Sequence, residues 1–126
     1  MFAEKELSMR MRFILPSLLF VLLGGVAASA HTTLNHSNLP AGGTVAAAPD
    51  EVVLTFTESL EPAFSTVQVI DGGGARVDQG KASVNGNMMR VGLKALGSGT
   101  YKVHWHAVSA DTHATDGSFS FNVQSP

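Results

Sequence analysis

The most constraining feature of this chain is a two-residue alternation of apolar and polar positions that recurs from residue 52 onward. An apolar residue at every second position puts one face of an extended strand into a core. The alternating stretches are 52–56, 67–69, 89–93, 101–105 and 119–123. Each of them is predicted to be a strand with one buried face.

Turn-forming residues separate these stretches. Pro-Ala-Gly-Gly occupies 40–43, Asp-Gly-Gly-Gly occupies 71–74, Asn-Gly occupies 85–86 and Gly-Ser-Gly occupies 97–99. Such clusters are typical of tight turns between strands. With no long helical pattern elsewhere, the chain is predicted to be all-β, a sandwich or barrel of about seven strands in a single domain. Residues 108–117 are predicted to be a long, functional loop between the last two strands.

Charge and composition exclude several classes of protein. Lys and Arg number 8 against 10 Asp and Glu, which leaves no basic patch of the size that a nucleic-acid-binding protein needs. Hydrophobic residues at 44% against 14% charged residues argue against intrinsic disorder. Cysteine is absent, which excludes disulfides and thiolate metal ligands. Motifs of hydrolases, zinc proteases and phosphate-binding loops are also missing.

The N-terminal segment is predicted to be a secretory signal peptide. Residues 13–30 carry no charge, follow Arg10 and Arg12, and end in Ala28-Ser29-Ala30. A basic start, a short apolar centre and an A-x-A end are typical of a cleaved leader. A membrane anchor is the alternative, but Pro16 and glycines interrupt a run already short for spanning. We therefore expect 1–30 to be removed after Ala30, and 31–126 to be exported without a membrane anchor.

Two groups of residues could bind a metal. Cleavage would make His31 the first residue, whose α-amine and Nδ1 can chelate one ion; nitrogen donors in a tetragonal arrangement suit Cu(II). Asp111 and His113 are two residues apart, and in an extended segment both side chains would point to one side. The alternatives are a chain that merely begins with His, and a solvated turn capped by Asp111.

Other residues are weaker candidates for metal ligands. Glu58 follows a predicted strand and is either a further acid near the site or an exposed carboxylate. His104 and His106 flank Trp105 and are predicted on the face opposite the core, where two imidazoles could bind a metal but more often form a polar surface. Met88 and Met89 are adjacent, so on a strand they face opposite ways and cannot converge on Cu(I).

These features together resemble the CopC family of copper-binding proteins. The resemblance runs over the whole predicted mature chain and is most specific near its end, where Y-x-V-x-W leads into S-x-D-x-H and G-x-F-x-F. The matching blocks are 31–34, 37–43, 53–65, 99–113 and 117–121.

The resemblance implies a small Greek-key β-sandwich, similar in shape to cupredoxins and immunoglobulin domains, in the bacterial periplasm. It implies Cu(II) held by His31, Asp111 and His113, with Glu58 beside them as a further candidate ligand. We predict one Cu(II) per mature chain. The resemblance also implies copper transfer to an inner-membrane partner of the CopD type.

This chain departs from the family pattern in two places. It lacks the Met-rich loop with which some members bind Cu(I), and His106 stands where many members have Arg. Two other functions stay open: a copper oxygenase with a histidine brace, and a metal-free immunoglobulin-like structural module. The copper carrier or buffer, without enzymatic activity, is the preferred interpretation.

Overall fold

Eight strands are found in the part of the chain that the structure, a computed structural model, describes, residues 32–124. The predicted signal peptide and His31 lie outside these residues. The strands are β1 (Leu34–Ser37), β2 (Thr44–Val45), β3 (Glu51–Phe56), β4 (Thr66–Ile70), β5 (Ser83–Asn85), β6 (Met88–Gly92), β7 (Gly99–Val108) and β8 (Ala114–Val123). Within residues 32–124 no helix is long and apolar enough to cross a membrane.

The strands form two four-stranded sheets, in the orders β1-β3-β6-β5 and β2-β8-β7-β4. The chain passes back and forth between the sheets, which is typical of Greek-key sandwiches. The short β2 runs parallel to β8, and the other pairs are antiparallel. The predicted all-β sandwich is therefore confirmed.

The core consists of the apolar positions predicted from the alternation. Phe56 of β3 and Phe121 of β8 are fully buried, and the indole of Trp105 meets the Phe56 ring edge-on with centroids 6.2 Å apart. The fully buried set also contains Val52, Leu54, Val69, Met89 and Val103. Met89 is buried and Met88 only half-buried, so the two methionines face opposite ways as predicted.

The two longest strands, β7 and β8, position the candidate site. They pair without interruption from Gly99↔Val123 to Val108↔Ala114. The prediction of a long loop over 108–117 was wrong, because β8 begins at Ala114 and only residues 109–113 connect the strands. Residues 114–117 are strand residues on a half-exposed sheet, and their sequence, Ala-Thr-Asp-Gly, shows no alternation that would predict a strand.

Candidate metal centre

Asp111 and His113 meet at the tip of the β7–β8 hairpin, at one end of the sandwich. His113 Nδ1 lies 3.2 Å from Asp111 Oδ1, and both side chains are about half exposed. An ionised carboxylate can only accept a hydrogen bond, so this contact puts the proton of neutral His113 on Nδ1. In this arrangement the lone pair is on Nε2, and the tautomer with its proton on Nε2 would instead turn a lone pair on Nδ1 toward the side of the carboxylate.

The backbone brings these side chains together by a route that differs from the prediction. The segment 111–113 is not extended, because Thr112 has a φ of +73° and turns the chain. Thr112 N–H donates to the Ser109 carbonyl at 2.8 Å, which closes the turn. A β-branched residue in this conformation is strained, and such strain is concentrated at functional sites. The predicted convergence of Asp111 and His113 is present, but the predicted extended geometry was wrong.

Ser109 organises the turn from a fully buried position. Its hydroxyl donates a short hydrogen bond to Asp111 Oδ1 and accepts one from His113 N–H at 3.3 Å. The Ser109 hydrogen bond, aided by His113, holds the pKa of Asp111 below its usual range, although desolvation acts in the opposite direction. Sequence reasoning missed this role. The signal that could have found it is a hydroxyl residue two positions before an Asp, a spacing common in local side-chain turns.

Residues 59–60, which lie far from the turn in sequence, contact its backbone. Ala110 N–H donates to the Ser59 carbonyl at 2.9 Å, and Leu60 forms a β-bridge with Ser109. Glu58 is half-buried at this end of the sandwich. However, no cluster of three or more His, Asp or Glu side chains within residues 32–124 is arranged to hold a metal. Glu58 comes one residue before Ser59, whose carbonyl contacts this turn, but it is not part of a formed ligand cluster within the described residues.

The start of the described chain is fastened beside the same turn. Thr32 is fully buried, and its carbonyl accepts a hydrogen bond from Thr115 Oγ1 at 3.2 Å. Thr33 exchanges hydrogen bonds with Thr57, donating to Oγ1 at 3.0 Å and accepting from the N–H at 2.9 Å. Thr32 is therefore held beside Thr115, two residues after His113, and Thr33 is held beside Thr57, the residue before Glu58.

His104 and His106 are on the outer face of β7, as predicted, and both are half-buried. They pair with β4 and β8 in the middle of the sheet, several residues before the turn that carries Asp111. His36 is exposed on β1, in the other sheet. The structure thus brings together Asp111 and His113 and leaves these three histidines outside that pair.

The fold and the site define a class, a small β-sandwich domain with a carboxylate–imidazole pair at one end. Comparison with known proteins gives the family. The CopC domain profile matches residues 34–124, and the chain therefore belongs to the CopC family.

Similar proteins cover most of this chain. Copper resistance protein C of Pseudomonas syringae pv. tomato is 36% identical over 112 residues, which are 82% of this chain and 88% of that protein. Copper transport protein CutJ of Bacillus subtilis is 31% identical over 118 residues, 90% of this chain but only 22% of that longer protein. The crystal structure of CopC from Methylosinus trichosporium OB3b superposes with a TM-score of 0.66 at 29% identity, covering 75% of this chain and 95% of that one.

Proposed function

We propose that this chain is an exported copper-binding protein that carries or buffers copper in copper homeostasis and resistance. Membership of the CopC family supports this function, as do relatives named for copper resistance and copper transport. The observation that carries the proposal is the convergence of Asp111 and His113 at the end of the sandwich, beside the fastened Thr32. Family membership also favours this function over a metal-free structural module, and no observation favours an oxygenase.

The donor atoms are those that suit Cu(II). Imidazole and carboxylate are borderline and hard ligands, and a tetragonal nitrogen–oxygen set is the usual environment of Cu(II). We propose one Cu(II) per mature chain, with the His113 imidazole and the Asp111 carboxylate among its ligands. No cysteine exists, and Met88 and Met89 diverge, so sulfur takes no part in this site.

His31 is proposed to complete the ligand set through its amine and imidazole, with Glu58 as a further candidate. The described residues contain only a two-ligand pair at this end of the sandwich, which supports recruiting a ligand from outside them. The amine exists only after the leader 1–30 has been removed. The proposal therefore includes cleavage after Ala30 and a periplasmic location.

Transfer to a CopD-type inner-membrane protein is the proposed next step for the metal. Similarity to copper transport protein CutJ supports this step. The match covers only 22% of CutJ, so a domain similar to this chain is there one part of a larger copper transport protein. The exposed position of Asp111 and His113 also supports transfer, since a partner can reach both ligands.

The test is competition for Cu(II) between a chelator and the processed protein. We expect His113→Ala and Asp111→Ala to lose at least 10-fold in affinity for the first equivalent, because water replaces a lost ligand. His36→Ala is the matched control, since its imidazole is exposed on the other sheet. Equal affinity of the His113→Ala and His36→Ala proteins would refute the site.

A second experiment tests the amine. One alanine added before His31 converts the amine into an amide while keeping the imidazole. We expect weaker Cu(II) binding, and unchanged affinity would refute amine ligation. Mass spectrometry of the exported protein should find His31 as its first residue.

A further inference from the structure

The outer face of β7 presents two imidazoles in a row. His104 and His106 are two residues apart on one strand, so their side chains leave the same face with Cα atoms about 6.7 Å apart. His104 pairs with Gln68 of β4 and Ser118 of β8, while His106 pairs with Thr66 and Asp116. At this spacing both rings can reach one ion.

Asp116 fixes the orientation of the second imidazole. His106 Nδ1 lies 2.9 Å from Asp116 Oδ1, directly across the β7–β8 pair. The carboxylate accepts the Nδ1 proton, so the lone pair of the neutral ring is on Nε2. Because Asp116 is on β8, the opposite edge of the ring faces β4. A carboxylate behind a histidine in this way is the usual support of a metal-bound imidazole.

Both histidines line one cavity on that side. The cavity has a volume of about 570 Å³ and also contacts Gln68, Arg76 and Lys81. No Asp or Glu is among its described lining residues, so Ca²⁺ and Mg²⁺ would find no carboxylate there. The charge of Arg76 is compensated by the buried Asp78 at 2.8 Å, whereas Lys81 adds positive charge. A cation would therefore have to be held by coordination to neutral imidazole and not by charge attraction.

We propose that His104 and His106 form a second, weaker site for a divalent transition metal, with Cu(II) the strongest candidate. Imidazole suits Cu(II) and Zn(II), and Cu(II) heads the affinity order. The protein supplies two nitrogen ligands, and water fills the other positions. The first site is proposed to gain the amine and imidazole of His31 beside its own pair, so the site with two protein ligands is expected to be the weaker one. The proposal does not depend on Asp111, His113 or His31.

The experiment is equilibrium dialysis of the processed protein against CuCl2, with glycine as a weak competitor. The wild type should bind two equivalents, the second more weakly. His104→Gln/His106→Gln keeps polar side chains on the strand and should lose only the second equivalent. His113→Ala should weaken binding of the first equivalent and leave the His104–His106 site unchanged. A failure of one site can therefore be told from a failure of the other. His36→Ala should keep both.

Asp116→Asn tests the orienting role of the carboxylate. We expect about 10-fold weaker binding of the second equivalent, the usual effect of removing such a partner. Electron paramagnetic resonance of the second equivalent should show coupling to two nitrogens. A wild type that binds one equivalent only, or a second equivalent that persists in the double Gln variant, would overturn the proposal.

Discussion

Ser109 determines the shape of the candidate site without being one of its proposed ligands. The sequence was enough to identify Asp111 and His113 as candidate ligands, because Asp and His are common metal ligands and these two are only two residues apart. It could not identify the left-handed Thr112, since such a conformation is unfavourable for a β-branched residue and is imposed by surrounding contacts. The burial of Ser109 depends on Leu60, almost fifty residues earlier, which no local pattern encodes.

Replacing Ser109 by alanine should weaken the site through Asp111. Without the hydroxyl, the pKa of Asp111 should rise toward its ordinary value, and the carboxylate should lose its fixed orientation. A lowered pKa keeps the carboxylate ionised, and so able to bind a cation, to lower pH. We expect about 10-fold weaker Cu(II) binding and loss of copper at a higher pH in Ser109→Ala. Chelator competition across a pH series measures both.

The control for this change is Ser59→Ala. Ser59 contacts the turn through its backbone carbonyl, which the substitution retains. If the two alanine variants released copper at the same pH, Ser109 would have no orienting role.

Among the elements, the β7–β8 pair depends on a glycine. Gly117 lies opposite Trp105, and a Cβ at this position would come within 2.1 Å of the indole Cζ2. The indole in turn packs against Phe56 and Phe119. The ring cannot shift without disturbing the core, so only glycine fits beneath it.

Gly117→Ala should therefore destabilise the domain by about 1–3 kcal/mol, the usual cost of overpacking. Urea unfolding followed by Trp105 fluorescence measures the change. Gly97→Ala is the matched control, because a Cβ there meets no atom within 4 Å. Equal unfolding midpoints would show that the indole moves aside at no cost.

A buried carboxylate holds the edge of the second sheet. Asp78 is fully buried and accepts hydrogen bonds from Arg76, from Val69 N–H at 2.8 Å and from Gly80 N–H at 2.9 Å. Burial alone would raise the pKa of Asp78, but the hydrogen bonds from Arg76, Val69 and Gly80 outweigh burial and lower it. The ionised carboxylate thus fastens the edge strand β4 to the segment that follows it.

Asp78→Asn should cost about 1.5–3 kcal/mol at neutral pH, because a charged acceptor is lost. A pKa lowered by folding gives stability that is present above the unfolded value of about 3.9 and lost as pH falls through the lower folded value. The wild type should therefore lose stability in acid more steeply than Asp78→Asn. Melting temperatures between neutral pH and pH 2 test this, and parallel curves would contradict it.

For the whole molecule, the alternation was enough to predict the sandwich and most of its core. It missed β1, β2 and β5, which are short and lack a regular buried face, with burial imposed by neighbouring strands. Of the proposed ligands, the structure places Asp111 and His113 together. Copper ligation by these two residues, by His31 and by Glu58 stays a prediction. If His31 also binds the metal, the ion would link the start of the mature chain to Asp111 and His113, which are about eighty residues later.

Copper should consequently stabilise the whole domain and not only the turn. An ion that binds the folded state alone adds about 2.7 kcal/mol when present at 100 times its Kd. Calorimetry should show a raised melting temperature for the processed wild type and a smaller rise for His113→Ala. A rise of the same size in both proteins would place the stabilising ion elsewhere.

The fastening of Thr32 to Thr115 also bears on the order of folding. These residues are 83 positions apart, whereas Asp111 and His113 belong to one local hairpin. Local hairpins form early, and contacts between distant segments close late because they cost more chain entropy. A site completed by residue 31 would then form after the rate-limiting step of folding. Copper should leave the refolding rate unchanged and slow unfolding, a difference that stopped-flow kinetics can resolve. Bound metal would lengthen the lifetime of the folded domain and not speed its formation.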